Sequence, residues 1–234
     1  MRLLLFDIDG TLLSGATSAH AEAMHAALTE VHGVRLTERS LRVVSPAGRT
    51  DPEIARAILL DAGVSAERIA DRAEAVRERC CEVYARLCPA DLSRFVVPGI
   101  VDLLESLSDR GDVILALLTG NYEVVARLKL ARAGIGSYFR SGQGAFGSDD
   151  EDRAALPAIA RRRAGQVGHP HPRELTIVIG DTPRDIACAA ADGVRCFAVT
   201  SGPYGAEELG AADAVFASAK DLAAGLHAEL GVAG

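Results

Sequence analysis

Five short, continuous runs of apolar residues recur along the chain, and this repetition constrains the fold more than any other feature. The runs cover residues 3–8, 113–118, 175–179, 196–199 and 214–216, and Asp7 and Thr176 are their only polar residues. Apolar runs without alternating polar residues are typical of strands that are buried on both faces of a parallel sheet. Helix-length segments lie between them, at 100–110, 122–133 and 183–191. The alternation predicts an α/β fold with a doubly wound parallel sheet.

Residues 14–96 carry a different pattern, because three segments have helical periodicity and strand signals are almost lacking. The helical segments cover residues 19–31, 52–62 and 66–87. Turn-forming residues mark both ends of the region, with Ser14-Gly15-Ala16 at its start and Val97-Pro98-Gly99 directly after it. We therefore predict a core domain of residues 1–13 and 97–234 and an inserted, all-helical cap domain of residues 14–96.

Polar and acidic residues follow three of the predicted strands. They are Asp7 and Asp9, Thr119 and Asn121, and Asp181 and Asp185. The carboxyl ends of parallel strands meet at one edge of the sheet, where loops and helix N-termini bind anions. Carboxylates gathered beside a phosphate site would repel the phosphate unless a cation lay between them. An all-oxygen ligand set with a phosphate co-ligand favours Mg²⁺.

Three motifs in this order resemble those of the haloacid dehalogenase superfamily, in the branch of phosphoglycolate phosphatase-like hydrolases. They are Asp7-Ile8-Asp9-Gly10-Thr11, Leu117-Leu118-Thr119-Gly120-Asn121 and Gly180-Asp181-Thr182-Pro183-Arg184-Asp185. The resemblance covers the whole chain and implies a Rossmann-like core with a helical cap. It also implies an Mg²⁺-dependent phosphatase that hydrolyses a small, phosphoglycolate-like phosphomonoester through an aspartyl-phosphate.

The resemblance assigns roles to four acidic residues. Asp7 would be the nucleophile, and Asp9 would be the general acid and base. Asp7, Asp181 and the backbone carbonyl of Asp9 would hold Mg²⁺, with Asp185 as a further or outer ligand. Without the resemblance, Asp7 and Asp9 could be turn-capping carboxylates, and Asp185 could simply favour the first turn of a helix.

The resemblance also assigns residues that would contact the substrate. The Thr119 hydroxyl and the Gly120 N–H would bind the transferring phosphoryl oxygens, with Asn121 beside them. Arg49, in the loop before the second cap helix, would reach the distal group of the substrate. Alternatively, Thr50 or Asp51 caps that helix and Arg49 is solvated.

One expected residue is missing, because the superfamily usually has a lysine between its second and last motifs. Lys129 follows Thr119 too closely in sequence and belongs to the next predicted helix. Arg153 stands at about the expected separation, so we predict that it supplies the positive charge. Its acidic neighbours, residues 149–152, allow the alternative of a surface ion pair.

The composition argues against several other classes of protein. The net charge of −7 gives no basic surface for nucleic acid or anionic lipid, and the run at residues 161–163 is interpreted as a solvated helix end. Five cysteines without a C-x-x-C pair indicate neither a disulfide framework nor a zinc site. Asp7 ends the N-terminal apolar run too early for a secretory or membrane segment, so a cytoplasmic location is expected.

Three other functions stay open at the level of the sequence. A sugar-phosphate mutase would keep all these motifs, and a haloacid dehalogenase would lack the acid corresponding to Asp9. A non-catalytic binding module could use the same scaffold. We expect a small phosphorylated metabolite as the partner, and neither nucleic acid nor a membrane. The identity of the ester and the oligomeric state do not follow from the sequence.

Overall fold

The computed structural model describes residues 1–37, 40 and 43–231. Six strands form one sheet in the order β3-β2-β1-β4-β5-β6, and every neighbouring pair is parallel. The strands are β1 (Arg2–Phe6), β2 (Val113–Thr119), β3 (Ala145–Phe146), β4 (Thr176–Gly180), β5 (Arg195–Val199) and β6 (Ala214–Phe216). The predicted doubly wound α/β fold is confirmed, and β3 is a short strand that the sequence analysis did not predict.

The central strand β1 explains why its sequence is apolar without alternation. Leu4 and Phe6 belong to one hydrophobic cluster, and Leu3 and Leu5 belong to the cluster on the other face of the sheet. All four side chains are fully buried. Successive side chains of a strand point to opposite faces, so a strand covered on both sides needs apolar residues at every position.

Helices cover the two faces of the sheet and connect successive parallel strands. In the core they are α5 (Ile100–Ser108), α6 (Glu123–Arg132), α7 (Leu156–Ala164), α8 (Pro183–Asp192) and α9 (Ala219–Leu230). Helix α8 begins with a capping box between Thr182 and Asp185 and ends at Gly193, which has a φ of 66°. A left-handed residue of this kind ends a helix without the steric cost of a side chain.

The described part of residues 14–96 has helices and no strand. Its α-helices are α1 (Ser18–His32), α2 (Asp51–Asp61), α3 (Ala66–Asp71) and α4 (Ala73–Leu87). The predicted helix at 66–87 is therefore interrupted at Arg72. The chain enters and leaves this segment side by side, because the Ser14 N–H donates to the Phe95 carbonyl (2.8 Å) and the Val97 N–H donates to the Leu12 carbonyl (3.0 Å). The division into a core domain and a cap domain stays a prediction.

Hydrogen bonds dock the start of α2 onto the core. The Asp51 N–H donates to the Gly120 carbonyl, and the Tyr122 N–H donates to the Asp51 carboxylate, both over 2.7 Å. The Thr50 hydroxyl donates to the carbonyl of Glu151, also over 2.7 Å. The helical segment is thereby held over the carboxyl ends of β1 and β2, where the predicted site lies.

The basic run at residues 161–163 is not a uniformly solvated helix end as we predicted. Arg161 is buried and forms an ion pair with Asp192 (2.6 Å), and it also donates to the carbonyl of His171. The three arginines therefore have different environments, since Arg162 is exposed and Arg163 pairs with Asp149. Among the described residues, no helix has both the length and the apolar character needed to cross a membrane.

Candidate active site

Asp7 lies at the carboxyl end of β1, between the two halves of the sheet. Its N–H donates to the carbonyl of Ile179 on the adjacent strand β4 (2.9 Å), and its side chain is buried. Asp181 follows β4 directly. The strand order reverses between β1 and β4, and ligands of open parallel sheets bind at such switch points. The fold therefore places Asp7 and Asp181 where a ligand is expected.

Asp7, Asp181 and Asp185 form a buried acidic cluster. One carboxylate oxygen from each lies within 4.8 Å of the others, which is close enough for one metal ion. Two glycines make room for Asp181: a β-carbon on Gly10, which has a φ of 97°, would lie 2.1 Å from its Oδ2, and one on Gly202 would lie 1.7 Å away. Both positions therefore require glycine.

The cluster carries more negative charge than its surroundings neutralise. Burial raises the pKa of Asp7 to about 7, although Arg153 opposes this effect. Burial and the carboxylates of Asp7 and Asp185 raise the pKa of Asp181 to about 8. Asp181 Oδ2 is buried and has no hydrogen-bond partner among the described residues. Buried, mutually repelling carboxylates with a free oxygen suit a hard divalent cation, so these residues fit Mg²⁺.

Asp185 has a structural role within the cluster. Its Oδ2 accepts hydrogen bonds from the N–H of Thr182 (3.0 Å) and from its hydroxyl (2.7 Å), and its Oδ1 accepts one from Arg153. Both carboxylate oxygens of Asp185 therefore already accept hydrogen bonds from the protein. This arrangement is compatible with the predicted outer position of Asp185 around a metal, and it also accounts for the capping of α8.

Arg153 lies at the place where a positive charge was predicted. Its side chain is buried, and its Nη2 lies 3.2 Å from Asp7 Oδ1 and bonds to Asp185. Burial would lower the pKa of Arg153, but Asp185 and Asp7 outweigh it and raise the pKa. The alternative of a surface ion pair with residues 149–152 is wrong, because the side chain points into the site.

Lys129 is part of the site, which the sequence analysis did not predict. It lies on α6, as expected, but its side chain is fully buried and reaches back to the strand ends. Its Nζ donates to both carboxylate oxygens of Asp9 (2.8 and 2.6 Å) and to Asn121 Oδ1 (2.7 Å). Burial would raise the pKa of Asp9, but Lys129 outweighs this effect and lowers it.

The sequence did contain a signal for this role. Lys129 lies on the same helix face as the apolar residues Val125, Ala126 and Leu130. Lysine is almost never fully buried unless it is paired, so a helix that buries one indicates an acidic partner. The prediction used only the ten-residue separation of Lys129 from Thr119 along the chain. Helix α6 runs antiparallel to β2, so the Lys129 side chain can reach back to the strand end.

The second motif lies at the end of β2. Thr119 is fully buried, and its hydroxyl accepts a hydrogen bond from the Asn121 N–H (3.3 Å). The Asn121 amide donates to Asp9 Oδ2 (3.0 Å), so this side chain orients Asp9. Gly120 touches residues 43–50 before α2, here called the docking loop, because a β-carbon on Gly120 would lie 2.0 Å from the Arg49 carbonyl oxygen. The substrate contacts predicted for Thr119, Gly120 and Asn121 stay predictions.

Arg49 lies in that docking loop, beside the cap of α2. Thr50 caps the helix, since its hydroxyl oxygen accepts from the Glu53 N–H (3.2 Å). The Arg49 guanidinium pairs with Glu53 and donates to the Ser45 carbonyl (3.1 Å). The predicted cap by Thr50 is therefore confirmed, and Arg49 is paired rather than solvated. A contact between Arg49 and a substrate stays a prediction.

Eight of the nine predicted site residues line a single cavity of about 690 Å³ between the core and the helical segment. They are Asp7, Asp9, Arg49, Thr119, Gly120, Asn121, Arg153 and Asp181. Asp185 lies behind this surface. The remaining walls come largely from α1, α2 and the loop before α2. A cavity of this size, with a few charged groups gathered at one end, is typical of a small-molecule site.

Comparison with known proteins gives similarities along most of the chain. A phosphoglycolate phosphatase from Pseudomonas fluorescens (strain Pf0-1) is 29% identical over 204 residues, which are 86% of this chain and 70% of that protein. A probable phosphatase, IndB, from Dickeya dadantii (strain 3937) is 27% identical over 215 residues, which are 90% of this chain and 86% of that protein.

Solved structures share the fold. CbbY from Rhodobacter sphaeroides in complex with phosphate has a TM-score of 0.65 and 21% identity, over 95% of this chain and 96% of that chain. A putative beta-phosphoglucomutase from Bacteroides vulgatus has a TM-score of 0.64 and 22% identity, over 97% and 88% of the two chains. The sequence model of the haloacid dehalogenase-like hydrolase family matches residues 4–190 of this chain. The acidic strand-end site and this match together show that the chain belongs to the haloacid dehalogenase-like hydrolase family.

Proposed function

We propose that this chain is an Mg²⁺-dependent phosphatase that attacks a phosphomonoester with the carboxylate of Asp7. Family membership and the phosphatase relatives support a phosphatase. The observation that carries the finer proposal is the buried cluster of Asp7, Asp181 and Asp185, which opens into the cavity beside Arg153. An acidic cluster can accept a phosphate only if cations neutralise it, and this site offers one arginine and a metal-binding set.

Asp7 is suited to act as a nucleophile because its carboxylate is held in place and buried. Arg153 contacts its Oδ1 from one side, so the carboxylate has a fixed orientation. The same guanidinium can contact the equatorial phosphoryl oxygens and stabilise their charge as the ester bond breaks. Attack by Asp7 on phosphorus would release the alcohol and leave an aspartyl-phosphate, which water then hydrolyses.

Asp9 is the proposed proton carrier in both half-reactions. Lys129 and Asn121 hold its carboxylate, and Lys129 keeps its pKa low, so Asp9 is ionised in this arrangement. The ionised form can take a proton from the attacking water. A bound phosphate dianion brings negative charge close to Asp9 and raises its pKa, which favours the protonated form needed to donate to the leaving oxygen.

Mg²⁺, when bound, would neutralise phosphoryl charge and orient the phosphate for in-line attack. Asp7 and Asp181 are the proposed direct ligands, because Asp181 Oδ2 has no described protein partner. Asp185 is the proposed outer ligand, and the backbone carbonyl of Asp9 completes the set that the family resemblance implies. The Thr119 hydroxyl and the Gly120 N–H would bind the phosphoryl oxygens.

The test is phosphate release from a panel of phosphomonoesters, including phosphoglycolate, with Mg²⁺ and with EDTA. We expect release that requires Mg²⁺, and we expect Asp181→Asn to weaken Mg²⁺ binding in calorimetry. Release that is equally fast in EDTA would contradict the metal dependence. Analysis of the products separates hydrolysis from the mutase alternative, since a mutase returns an isomeric phosphate ester instead of free phosphate.

A further inference from the structure

The cavity extends well beyond the phosphate site, into the helical segment. Its inner end carries Asp7, Arg153 and Asp181, and its outer end is formed by α1, α2 and the loop before α2. At about 690 Å³, the whole cavity lies within the range of about 300–1,000 Å³ that encloses drug-sized ligands. A two-carbon leaving group such as glycolate would leave most of the outer part empty.

The outer wall is mainly apolar. Met24 contributes from α1, Ile54 and Ile58 from α2, and Val44 from the preceding loop. Ile54 and Ile58 are four residues apart, so they present one continuous face of α2. These side chains join the hydrophobic core cluster on one side and face the cavity on the other.

Two polar groups at the outer end, His20 and Arg49, already have partners within the protein, and Glu22 and His25 of α1 also line this end. His20 Nε2 lies 3.1 Å from Asp51 Oδ2, and the Arg49 guanidinium is bonded to Glu53. A carboxylate on the leaving group would have to compete with Glu53 for Arg49. An apolar leaving group needs no such exchange, because it only displaces water from the apolar wall.

Building on the proposed hydrolysis at Asp7, we propose that the substrate is a phosphomonoester whose leaving group is mainly apolar and much larger than glycolate. Its phosphate would bind at the inner end of the cavity. Its apolar body would pack against Met24, Val44, Ile54 and Ile58. This substrate class differs from the phosphoglycolate-like ester that the family resemblance implies.

The energetics give a measurable expectation. Complete burial of one methylene group is worth about fourfold in binding. Partial burial of the four additional methylenes of hexyl phosphate over ethyl phosphate should raise kcat/KM by roughly tenfold to a hundredfold. The two alcohols leave with nearly the same intrinsic reactivity, so the ratio reports on the cavity rather than on the chemistry.

The experiment measures kcat/KM for ethyl, butyl and hexyl phosphate and for phosphoglycolate, with Mg²⁺. We expect a steady rise with chain length and the lowest value for phosphoglycolate. Ile58→Ala should reduce the hexyl-to-ethyl ratio severalfold. Ile159→Ala, on the opposite face of the sheet, is the matched control and should leave that ratio unchanged. The ratio is insensitive to the folded fraction of either variant.

Two outcomes separate failure of this inference from failure of the proposed function. If phosphoglycolate is hydrolysed best and the alkyl series is flat or falls, the function stands and the substrate class is wrong. If no ester is hydrolysed, the proposed function fails, and calorimetry with ethyl- and hexylphosphonate then decides the inference. Tighter binding of hexylphosphonate would support the apolar cavity, and equal binding would overturn it.

Discussion

Replacing Lys129 by methionine perturbs the buried ion pair that orients Asp9. Methionine is of similar length, so the change removes the charge with little loss of volume. The variant leaves the Asp9 carboxylate and the Asn121 amide oxygen without the three hydrogen bonds that Lys129 donates. Breaking a buried pair by removing one partner costs about 3–5 kcal/mol. We expect the lower end, because the Asp9 side chain keeps 23% of its exposure to solvent.

The same variant should impair the reaction. An unrestrained Asp9 carboxylate would lose its alignment with the leaving oxygen, and misplacement of a reacting group by 1 Å can cost about a hundredfold. We expect kcat to fall by about tenfold to a hundredfold in Lys129→Met. Lys129→Arg keeps the charge in a bulkier group, and we expect it to recover part of the rate but not all of it.

The measurements are urea denaturation, which gives the free energy of unfolding, and phosphate release under saturating substrate. Lys220→Met is the matched control, because Lys220 is the other lysine of the chain and is exposed. That variant should change stability by less than about 0.5 kcal/mol. If Lys129→Met unfolds like Lys220→Met and keeps the wild-type kcat, the role given to Lys129 is wrong.

Three further predictions concern the core site. Gly120→Ala should lower kcat about a hundredfold because its β-carbon would lie 2.0 Å from a backbone oxygen of the docking loop, whereas Gly111→Ala, with open space around it, should leave kcat unchanged. Arg153→Met should cost about 3–5 kcal/mol in urea denaturation, and Arg153→Lys should cost less. Burial raises the pKa values of Asp7 and Asp181 to about 7 and about 8, so in EDTA the melting temperature should fall as pH rises from 5 toward 8.5. Mg²⁺ binds the deprotonated carboxylates, so its addition should raise the melting temperature more at high pH than at low pH.

The sign of that pH dependence follows from the direction of the shifts. The folded carboxyl groups hold protons more tightly than the unfolded ones, whose pKa is near 3.8. Their contribution to stability is complete below that value and is lost as pH rises through the folded pKa values. A melting temperature in EDTA that rises over the same range would contradict the assignment of Asp7 and Asp181 as an uncompensated pair.

The sheet and the acidic strand ends could be predicted because they depend on local sequence. A continuous apolar run identifies a buried strand, and parallel strands bring their carboxyl ends together, so Asp7 and Asp181 had to be neighbours once the fold was known. Strand β3 was not predicted, because Ala145–Phe146 is too short to form a recognisable apolar run. The helix break at Arg72 contains no glycine or proline, so the local sequence did not predict it.

The partners of the site residues were harder to predict, since they depend on three-dimensional reach. Arg153 was placed near the phosphate by its separation from Thr119, and its buried contact with Asp7 agrees with that expectation. The same criterion, separation from Thr119 along the chain, wrongly excluded Lys129 from the site. Its buried position on α6 follows from how the helix packs, which spacing along the chain does not encode. The apolar outer cavity likewise arises from the docking of the helical segment, which brings Met24 and Ile58 together.

The central claim is that the Asp7 carboxylate forms a covalent bond to phosphorus, and trapping the phosphoenzyme tests it most directly. The enzyme would be mixed with a ³²P-labelled substrate and Mg²⁺, quenched in acid within one turnover, digested and mapped by mass spectrometry. We predict an acyl phosphate on Asp7, labile to hydroxylamine, and neither label nor phosphate release in Asp7→Asn. A label on another residue, or full turnover by folded Asp7→Asn, would contradict the account.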